Sequence, residues 1–388
     1  MTFRKEVFKL RVEQRVWTKA GGWTRQTAEV NDLCAQLVLL FGCRKAFGHS
    51  EFFQEIKDLY PDAYIMGCST AGEISGTRVL DNSLVSTAVE FKHTKLYGTE
   101  IKLSEVKNSF QAGVLLAQSI PKGDLSHLFV LSDGLAVNGS ELVKGLMCCL
   151  PENVAVTGGL AGDGSDFNET LTFLNKPPQK DTVAVIGFYG DRLKIGYGSV
   201  GGWDPFGPER LITRSDGNVL YEMDGRSALE LYKVYLGEHA AGLPATGLLF
   251  PLSIRVKEHE KGLVRTILSI NEEKQSLTFA GDMPEGKYAR LMKANFDRLI
   301  DGATEAAKNS FEAAGSVSPE LAILISCVGR KLLLKQRTEE EVEGVRDILG
   351  ADTVLAGFYS YGEICPFTFG ASPELHNQTM TVTTFREE

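Results

Sequence analysis

The feature that most constrains this chain is a unit of sequence that occurs three times. Each copy has an apolar stretch, a helical segment, a second short apolar stretch, and a turn in which a carboxylate follows glycine. Apolar strands without polar alternation, separated by a helix, favour buried parallel βαβ units. We therefore predict an α/β (mixed α+β) fold of two domains, built from related strand-helix-strand units with mixed sheets. The first stretches are 35–43, 127–134 and 321–327, and the second stretches with their turns are 64–73, 154–163 and 354–363.

Length and composition narrow the class of protein. The chain has 388 residues, which suits about two domains, and its 43% apolar and 23% charged residues are typical of a globular protein. A net charge of −9 argues against a general binder of nucleic acid or of an anionic membrane. Seven cysteines without a Cys-x-x-Cys pair fit a reducing compartment, and residues 1–8 lack a signal-peptide core, so we expect a cytoplasmic protein.

Local patterns predict the elements around the three units. Ser50 is the expected N-cap of the first unit's helix, and Thr338–Glu341 reads as a capping box. Gly201–Pro208 is predicted as a rigid turn, with a change of domain soon after it. Cys148 and Cys149 are adjacent on a predicted helix, where their side chains face different directions, so we expect no bridge. Predicted helices are 24–33, 51–59, 110–120, 141–150, 228–236 and 288–311; predicted strands are 83–91, 95–103, 170–173, 182–189 and 193–199; and 271–275 is a hairpin loop between the strands 263–270 and 277–279.

The three turns are the first candidate site. Glycine lets the backbone approach a ligand, and Glu73, Asp163 and Glu363 would accept hydrogen bonds from an ammonium, a guanidinium or a sugar hydroxyl. The structural alternative is that these acids cap helices or brace turns. The sequence has neither a P-loop nor a dinucleotide-binding fingerprint, so phosphate chemistry of those kinds is not indicated.

Signals for catalysis are weak. No Gly-x-Ser-x-Gly elbow is present, Cys68 lacks an identifiable histidine partner, and the six histidines are dispersed. Glu258–Glu260 is expected to be a solvated face. We predict that the protein is not an enzyme and has no hydrolase or kinase activity. The alternative is an enzyme whose carboxylate-based site, using Glu73, Asp163 or Glu363, acts on a small metabolite.

Aromatic and cationic residues form the second candidate site. Trp203, Arg210, Tyr359, Tyr361 and Glu363 offer an aromatic wall, a cation for a carboxylate, and an anion for an ammonium. We therefore predict a ligand pocket in the C-terminal half or at the domain junction. Alternatively, Trp203 only fills the join between the domains.

These turns and motifs together resemble the FIST proteins, a family named for F-box and intracellular signal transduction. The resemblance implies a FIST N domain over residues 30–218, followed by a FIST C domain over 219–371, in a stand-alone FIST protein. The motifs that carry it are Gly67–Ile74, Gly158–Asp163, Gly201–Pro208, Ala240–Ala245 and Gly357–Ile364.

The resemblance also implies a function. FIST domains are sensory input modules proposed to bind small ligands such as amino acids. Some stand-alone bacterial members are nitric-oxide-sensing proteins that bind haem b through a histidine and regulate a sensor histidine kinase or a cyclic-di-GMP enzyme. Relatives carry that histidine in the stretch Gly190–Gly198, which here has Arg192 and Tyr197, so His239 is the candidate metal ligand and Tyr197 the alternative. A scaffold without a ligand is the third possibility.

Overall fold

The computed structural model describes residues 9–28, 30, 32–48, 51–255 and 262–388. Ser50 and Glu258–Glu260, for which the sequence predicted a cap and a solvated face, lie outside these residues. The described chain forms mixed β-sheets with helices packed against them, so the predicted α/β fold with mixed sheets is confirmed.

Most predicted elements of the first half are present. In chain order the elements are β1 (Arg11–Thr18), β2 (Gly22–Arg25), β3 (Leu37–Gly42), α1 (Phe52–Leu59), β4 (Tyr64–Ser69), β5 (Glu73–Ser75), β6 (Arg78–Leu80), β7 (Ser83–Glu90), β8 (Lys95–Lys102), α2 (Ser109–Ser119), β9 (Leu125–Ser132), α3 (Gly139–Met147), β10 (Ala155–Leu160), β11 (Thr172–Leu174), β12 (Thr182–Tyr189) and β13 (Leu193–Val200).

The second half holds a long series of short strands before the third unit begins. Its elements are β14 (Trp203–Asp216), β15 (Val219–Met223), β16 (Arg226–Ser227), α4 (Ala228–Leu236), β17 (Leu252–Arg255), β18 (Leu263–Arg265), β19 (Ile267–Asn271), β20 (Ser276–Phe279), β21 (Tyr288–Ala294), α5 (Phe296–Ala313), β22 (Leu321–Cys327), α6 (Val328–Leu334), α7 (Thr338–Leu349), β23 (Val354–Ser360), β24 (Gly362–Pro366), β25 (Pro373–His376) and β26 (Met380–Glu387).

Three of the sheets share one plan, which confirms the repeat. In each sheet, two parallel strands form the centre, and a helical segment connects the first of these strands to the second. Two further strands, both antiparallel to their neighbours, extend the sheet on the side of the first parallel strand. The four-strand orders are β4-β3-β7-β1, β10-β9-β12-β8 and β23-β22-β26-β13. A glycine occupies the same place in the second parallel strand each time: Gly67 opposite Leu40, Gly158 opposite Val130, and Gly357 opposite Leu324.

In each unit, the strand that follows the second parallel strand extends the sheet of another unit. β5 of the first unit pairs with β23 of the third, β24 of the third pairs with β10 of the second, and β11 of the second pairs with β4 of the first. The exchange runs in one direction and closes after three steps. Every one of the three sheets therefore contains strands from two units, and together the units form one body, made of residues 11–200 and 296–387.

Burial on both faces explains why the first parallel strands are so uniformly apolar in sequence. Every residue of β3 and of β22 is buried. A strand covered on both faces cannot alternate polar and apolar residues, because each polar side chain would need a buried partner. At about 25 cal/mol per Å² of apolar surface, burying one leucine or phenylalanine stabilises the fold by about 1.5–3 kcal/mol.

Residues 203–294 form a fourth sheet, which we call the inserted sheet. Its strand order is β18-β17-β21-β14-β15-β20-β19, with β16 paired to β15. It has a hydrophobic cluster of its own that includes Ile212, Tyr232 and Phe279. The boundary predicted at residue 218 falls inside this sheet, between β14 and β15, and pairs such as β5 with β23 join the two predicted ranges.

Three local predictions were wrong. Gly201–Pro208 is a turn only at its start, because Trp203 begins β14, which pairs with β21 and bulges between Phe206 and Arg210. Residues 288–294 are strand β21, and the helix starts only after Asn295, whose side chain accepts a hydrogen bond from the Arg298 amide. Residues 22–25 pair with β1 instead of beginning a helix. In each case pairing with another strand overrides the local pattern.

The predicted capping box is absent, and a buried ion pair lies beneath it. Thr338 begins α7, but its hydroxyl donates to the Lys335 carbonyl and does not accept the hydrogen bond from a first-turn amide that a cap requires. Glu341 turns inward and accepts two hydrogen bonds from the fully buried Arg330, at 3.0 and 2.7 Å. Arg330 also donates to the Leu299 carbonyl at 2.6 Å. These contacts tie α6, α7 and α5 together.

Candidate functional site

The turns of the three units meet at the centre of the body. A backbone amide in each turn donates to the carbonyl at the end of the next unit's second parallel strand, and the three bonds form a closed ring. The three turns therefore occupy related positions in their units, as the repeat in the sequence implies. The bonds are Ala71 to Tyr359 at 2.8 Å, Tyr361 to Leu160 at 3.3 Å, and Gly162 to Ser69 at 2.8 Å.

Two of the predicted acids brace these turns. Glu73 is fully buried and accepts from the hydroxyls of Thr70 at 2.5 Å and Ser83 at 2.6 Å. Glu363 is equally buried and accepts from Ser360 at 2.7 Å and from the amide and hydroxyl of Thr379 at 3.1 and 2.9 Å. Glu73 thus connects its turn to the start of β7, and Glu363 connects its turn to the residue just before β26.

The burial of these acids predicts a pH dependence of stability. Burial raises the pKa of Glu363 to about 8 and that of Glu73 to about 7, against an ordinary value of 4.5, although their hydrogen bonds act in the opposite direction. Because both folded-state pKa values are raised, these two groups keep protons in the folded protein that the unfolded chain has lost between pH 4.5 and about 8. Burial lowers the pKa of His127 to about 3 and that of His376 to about 4, against an ordinary value of 6.5, and this opposes the effect of the two acids below pH 6.5. The folded protein therefore holds more protons than the unfolded chain in the window from pH 6.5 to about 8. We expect the free energy of unfolding, measured with urea, to fall as pH rises through this window.

Glu363→Gln is expected to reduce that slope, since glutamine keeps the shape and does not ionise. Glu272→Gln, at an exposed carboxylate, is the control and should keep the wild-type slope. A wild-type stability that rises with pH across this window would contradict the prediction.

The second turn differs from the other two. It reaches its acid one residue earlier, and Asp163 accepts from the Arg44 guanidinium at 2.9 Å and from the amides of Asn168 and Glu169 at 3.2 and 2.9 Å. Arg44 also pairs with the Glu169 carboxylate at 3.1 Å. Asp163 therefore anchors a loop through an ion-pair cluster at the surface of the body.

Three of the predicted ligand residues converge on one segment where the inserted sheet meets the body. The Trp203 indole donates to the Gln378 carbonyl at 3.0 Å, and the Asn377 amide group donates to the Tyr361 carbonyl at 3.4 Å. Thr379, the residue after Gln378, donates a hydrogen bond from its hydroxyl to the Glu363 carboxylate. The buried segment 376–379 between β25 and β26 is thus the meeting point, and we call this region the junction.

Two buried polar atoms at the junction are left without a partner. The Gln378 side chain donates to the Leu248 carbonyl at 3.0 Å, but its Oε1 has no hydrogen-bond partner among the described residues. The same holds for the hydroxyl of Thr266, whose amide donates to Asn377 Oδ1 at 3.5 Å. A buried polar atom without a partner is costly, so such atoms mark places where a water or a ligand belongs.

A buried cation precedes Thr266 in the chain and contacts the residue just before the segment 376–379. Arg265 is 4% exposed and donates to the Leu375 carbonyl at 2.9 Å and to the Asp282 carbonyl at 3.3 Å. Within the part of the chain that the structure describes, it has no ion-pair partner. Burial lowers its pKa to about 10, while the charges of Glu374 and Asp282 act in the opposite direction. Arg265 also donates to the Val264 carbonyl at 3.4 Å and to the Ser140 hydroxyl at 3.5 Å, so one of its five N–H groups is left without an acceptor among the described residues.

The other predicted residues lie elsewhere. Arg210 is on the inserted sheet, where it donates to Asp224 at 2.9 Å and to the Tyr235 hydroxyl at 2.6 Å and lines a shallow pocket with Phe206. The hydroxyl of the buried Tyr359 donates to Glu341 at 2.6 Å. The structure therefore separates Arg210 from the residues at the junction.

The surroundings of the candidate iron ligands do not fit a haem. His239 is exposed on a 3-10 turn, with its ring centre 5.4 Å from that of Phe250, whereas a haem ligand lies in an enclosed pocket. The Tyr197 hydroxyl accepts from the Gly370 amide at 3.3 Å. Among the described residues, no cluster of three or more histidine, cysteine or acidic side chains is placed to hold a metal ion.

Sequence reasoning missed Arg265, Thr266 and the segment 376–379. An arginine within the apolar run 263–270 was the available signal, because a charge at such a position needs a specific partner. The run His376–Thr379 reads as an ordinary polar loop, and only its burial in the fold distinguishes it.

The comparisons with known proteins identify the class. A model of the FIST N domain matches residues 36–226, and a model of the FIST C domain matches residues 228–366. The protein belongs to the FIST family, whose domains act as sensors in signal transduction. No helix within the described residues has the length and apolar character required to cross a bilayer.

A curated relative extends the comparison to an archaeon. The chain is similar to the uncharacterized protein MJ1623 of Methanocaldococcus jannaschii, with 24% identity over 328 residues. The match covers 76% of this chain and 60% of the relative, so the chain spans less than two thirds of the relative's length.

Proposed function

We propose that this protein is a signalling sensor that binds a small amino-acid-like ligand at the junction. The observation that supports this best is that residues in or bonded to the segment 375–378 provide a buried arginine without an ion-pair partner and two buried polar atoms without hydrogen-bond partners among the described residues. Arg265 suits a carboxylate, and the Gln378 Oε1 atom suits an ammonium. The Thr266 hydroxyl suits either group.

The position of this site provides a way to signal. The ligand would contact residues of both the inserted sheet and the body, and it shifts their arrangement only if it binds one arrangement more tightly than the other. The output then passes to a partner chain, and we propose a histidine kinase or a cyclic-di-GMP enzyme in that role. Haem, through which the resemblance implies sensing of nitric oxide, is included in the ligand screen, although neither His239 nor Tyr197 has the surroundings of a haem ligand.

The sharpest test is Thr266→Val. The Thr266 hydroxyl bonds nothing in the described structure, so replacing it with a methyl group should leave the ligand-free stability unchanged or slightly higher. If the hydroxyl serves the ligand, the same change should weaken binding by about 1 kcal/mol, roughly fivefold. Binding is measured by calorimetry with the amino acids that raise the melting temperature in a screen that includes haem.

Matched controls separate the site from general effects. Thr172→Val removes another buried hydroxyl without a partner, in β11, and should change neither stability nor binding. Arg265→Gln should weaken binding roughly 10- to 150-fold, as expected for a charge-assisted bond worth about 1.5–3 kcal/mol, while Arg210→Gln should bind like the wild type. An amino acid that binds all four variants with wild-type affinity would place the site elsewhere.

A further inference from the structure

Two adjacent cysteines at the end of α3 lie with their sulfur atoms in contact. The Sγ atoms of Cys148 and Cys149 are 3.3 Å apart, so the S–H of one thiol points at the sulfur of the other. Cys148 is exposed and Cys149 is half-buried, and both are free thiols. This differs from the prediction that the two side chains face different directions.

The reason for the difference is that the helix has already ended. α3 stops at Met147, Cys148 is its C-cap, and the Cys149 amide donates to the Leu146 carbonyl at 3.2 Å, which is the shorter spacing of a tightened last turn. Pro151 follows two residues later and prevents the helix from continuing. Outside regular helix geometry the two side chains converge.

We propose that Cys148 and Cys149 form a reactive vicinal dithiol, which closes reversibly to a disulfide on meeting a low-molecular-weight disulfide. The exposed Cys148 thiolate attacks one sulfur of the incoming disulfide, forms a mixed disulfide and releases the first thiolate. Cys149 loses its proton to solvent, attacks the Cys148 sulfur and releases the second thiolate. The protein loses two hydrogen atoms and is oxidised, and the external disulfide is reduced to two thiols.

The other cysteines lack this combination of exposure and a neighbouring thiol. Cys68, Cys327 and Cys365 are buried and Cys43 is half-buried, and burial raises the pKa of each of these thiols. Cys34 is exposed but stands alone. A thiol that is accessible and has a second thiol beside it is the pattern expected of a redox-active pair.

The geometry also favours reversibility. The Cα atoms of adjacent residues are about 3.8 Å apart, closer than the roughly 4.4–6.8 Å of ordinary disulfides, so the bridge is strained and easily reduced. A labile bridge of this kind suits a regulatory site better than a structural one.

The dithiol lies at the end of a helix whose other end contacts the inserted sheet. α3 starts beside that sheet, where Asn138 and Lys144 hold the Asp282 carboxylate at 2.9 and 2.6 Å. The dithiol is therefore at the far end of a helix that contacts the junction. Its chemistry does not depend on the proposed ligand.

The experiment treats the reduced full chain with oxidised glutathione, blocks the remaining thiols by alkylation, and maps peptides by mass spectrometry. In the wild type, the peptide that contains Cys148 and Cys149 should lose two hydrogen atoms, carry no glutathione, and return to the dithiol with dithiothreitol. Cys149→Ser should stop at the mixed disulfide and keep one glutathione on Cys148. Cys34→Ser is the control and should leave the behaviour of the pair unchanged.

A second readout does not require oxidation. Phenylarsine oxide chelates two neighbouring thiols, so the wild type and Cys34→Ser should bind it at Cys148 and Cys149, and either single serine variant of the pair should lose that binding. A wild-type peptide that keeps a stable glutathione adduct, forms only disulfides between chains, or stays fully reduced while Cys34 reacts would overturn the proposal.

Discussion

Arg330→Met is expected to lower the free energy of unfolding by about 3–5 kcal/mol. The substitution removes the fully buried guanidinium that pairs with Glu341 and also donates to the Leu299 carbonyl. Glu341 would keep the hydroxyls of Ser326 and Tyr359 as donors, but its charge would be uncompensated in a site closed to water. Equilibrium unfolding in urea, monitored by circular dichroism and by fluorescence, measures this loss.

Two comparisons make this result specific. Arg214→Met removes an exposed partner of Glu222 on the inserted sheet and should cost about 0–1 kcal/mol. The double change Arg330→Met with Glu341→Leu should recover part of the loss, because a buried ion pair can be replaced by apolar groups more cheaply than it can be broken. A loss from Arg330→Met no larger than that from Arg214→Met would show that the pair does not hold α5, α6 and α7 together.

Gly158→Ala is expected to destabilise the body by about 3 kcal/mol, the upper end for an overpacked site. A Cβ atom at this position would lie 1.9 Å from the Val130 carbonyl oxygen. The backbone cannot move away freely, because β10 is held by β9 on one side and by β24 on the other. Thermal and urea unfolding would measure the loss.

The same substitution can be tested at the equivalent glycines of the other two units. Cβ atoms at Gly67 and Gly357 would lie 2.1 and 1.8 Å from the carbonyl oxygens of the facing strands, so their alanine variants should behave alike. Gly48→Ala is the control, because a Cβ atom there meets nothing within 4 Å. If the three variants differed from one another as much as from the control, the units would not be equivalent in packing.

Local sequence was sufficient to predict the βαβ units, and the reason is physical. A parallel strand buried on both faces leaves a continuous apolar run, and the helix that connects it to the next strand shows its own period. The hairpin around 271–275 was predictable for a similar reason, since its two strands are neighbours in sequence. Prediction failed at β21 and at residues 22–25, where pairing with other strands decides the conformation.

The exchange of strands between units could not be predicted. β5 and β11 have three residues each, too few to show a period, and their partners are distant in the chain. The candidate site shows the same limit. Trp203 and Tyr361 do meet one segment, but Arg210 does not join them, and the role of Gln378 becomes visible only once its burial is known.

The cyclic exchange has a consequence for the order in which the molecule can fold on the ribosome. β5, β10 and β13 are made before their partners β23, β24 and β26, which belong to the last part of the chain to be synthesised. Until then, three strand edges of the N-terminal half stay unpaired and able to pair with other chains. Contacts between residues so far apart in sequence slow the closing step. Cells that make this protein would therefore gain from a chaperone that shields those edges during synthesis.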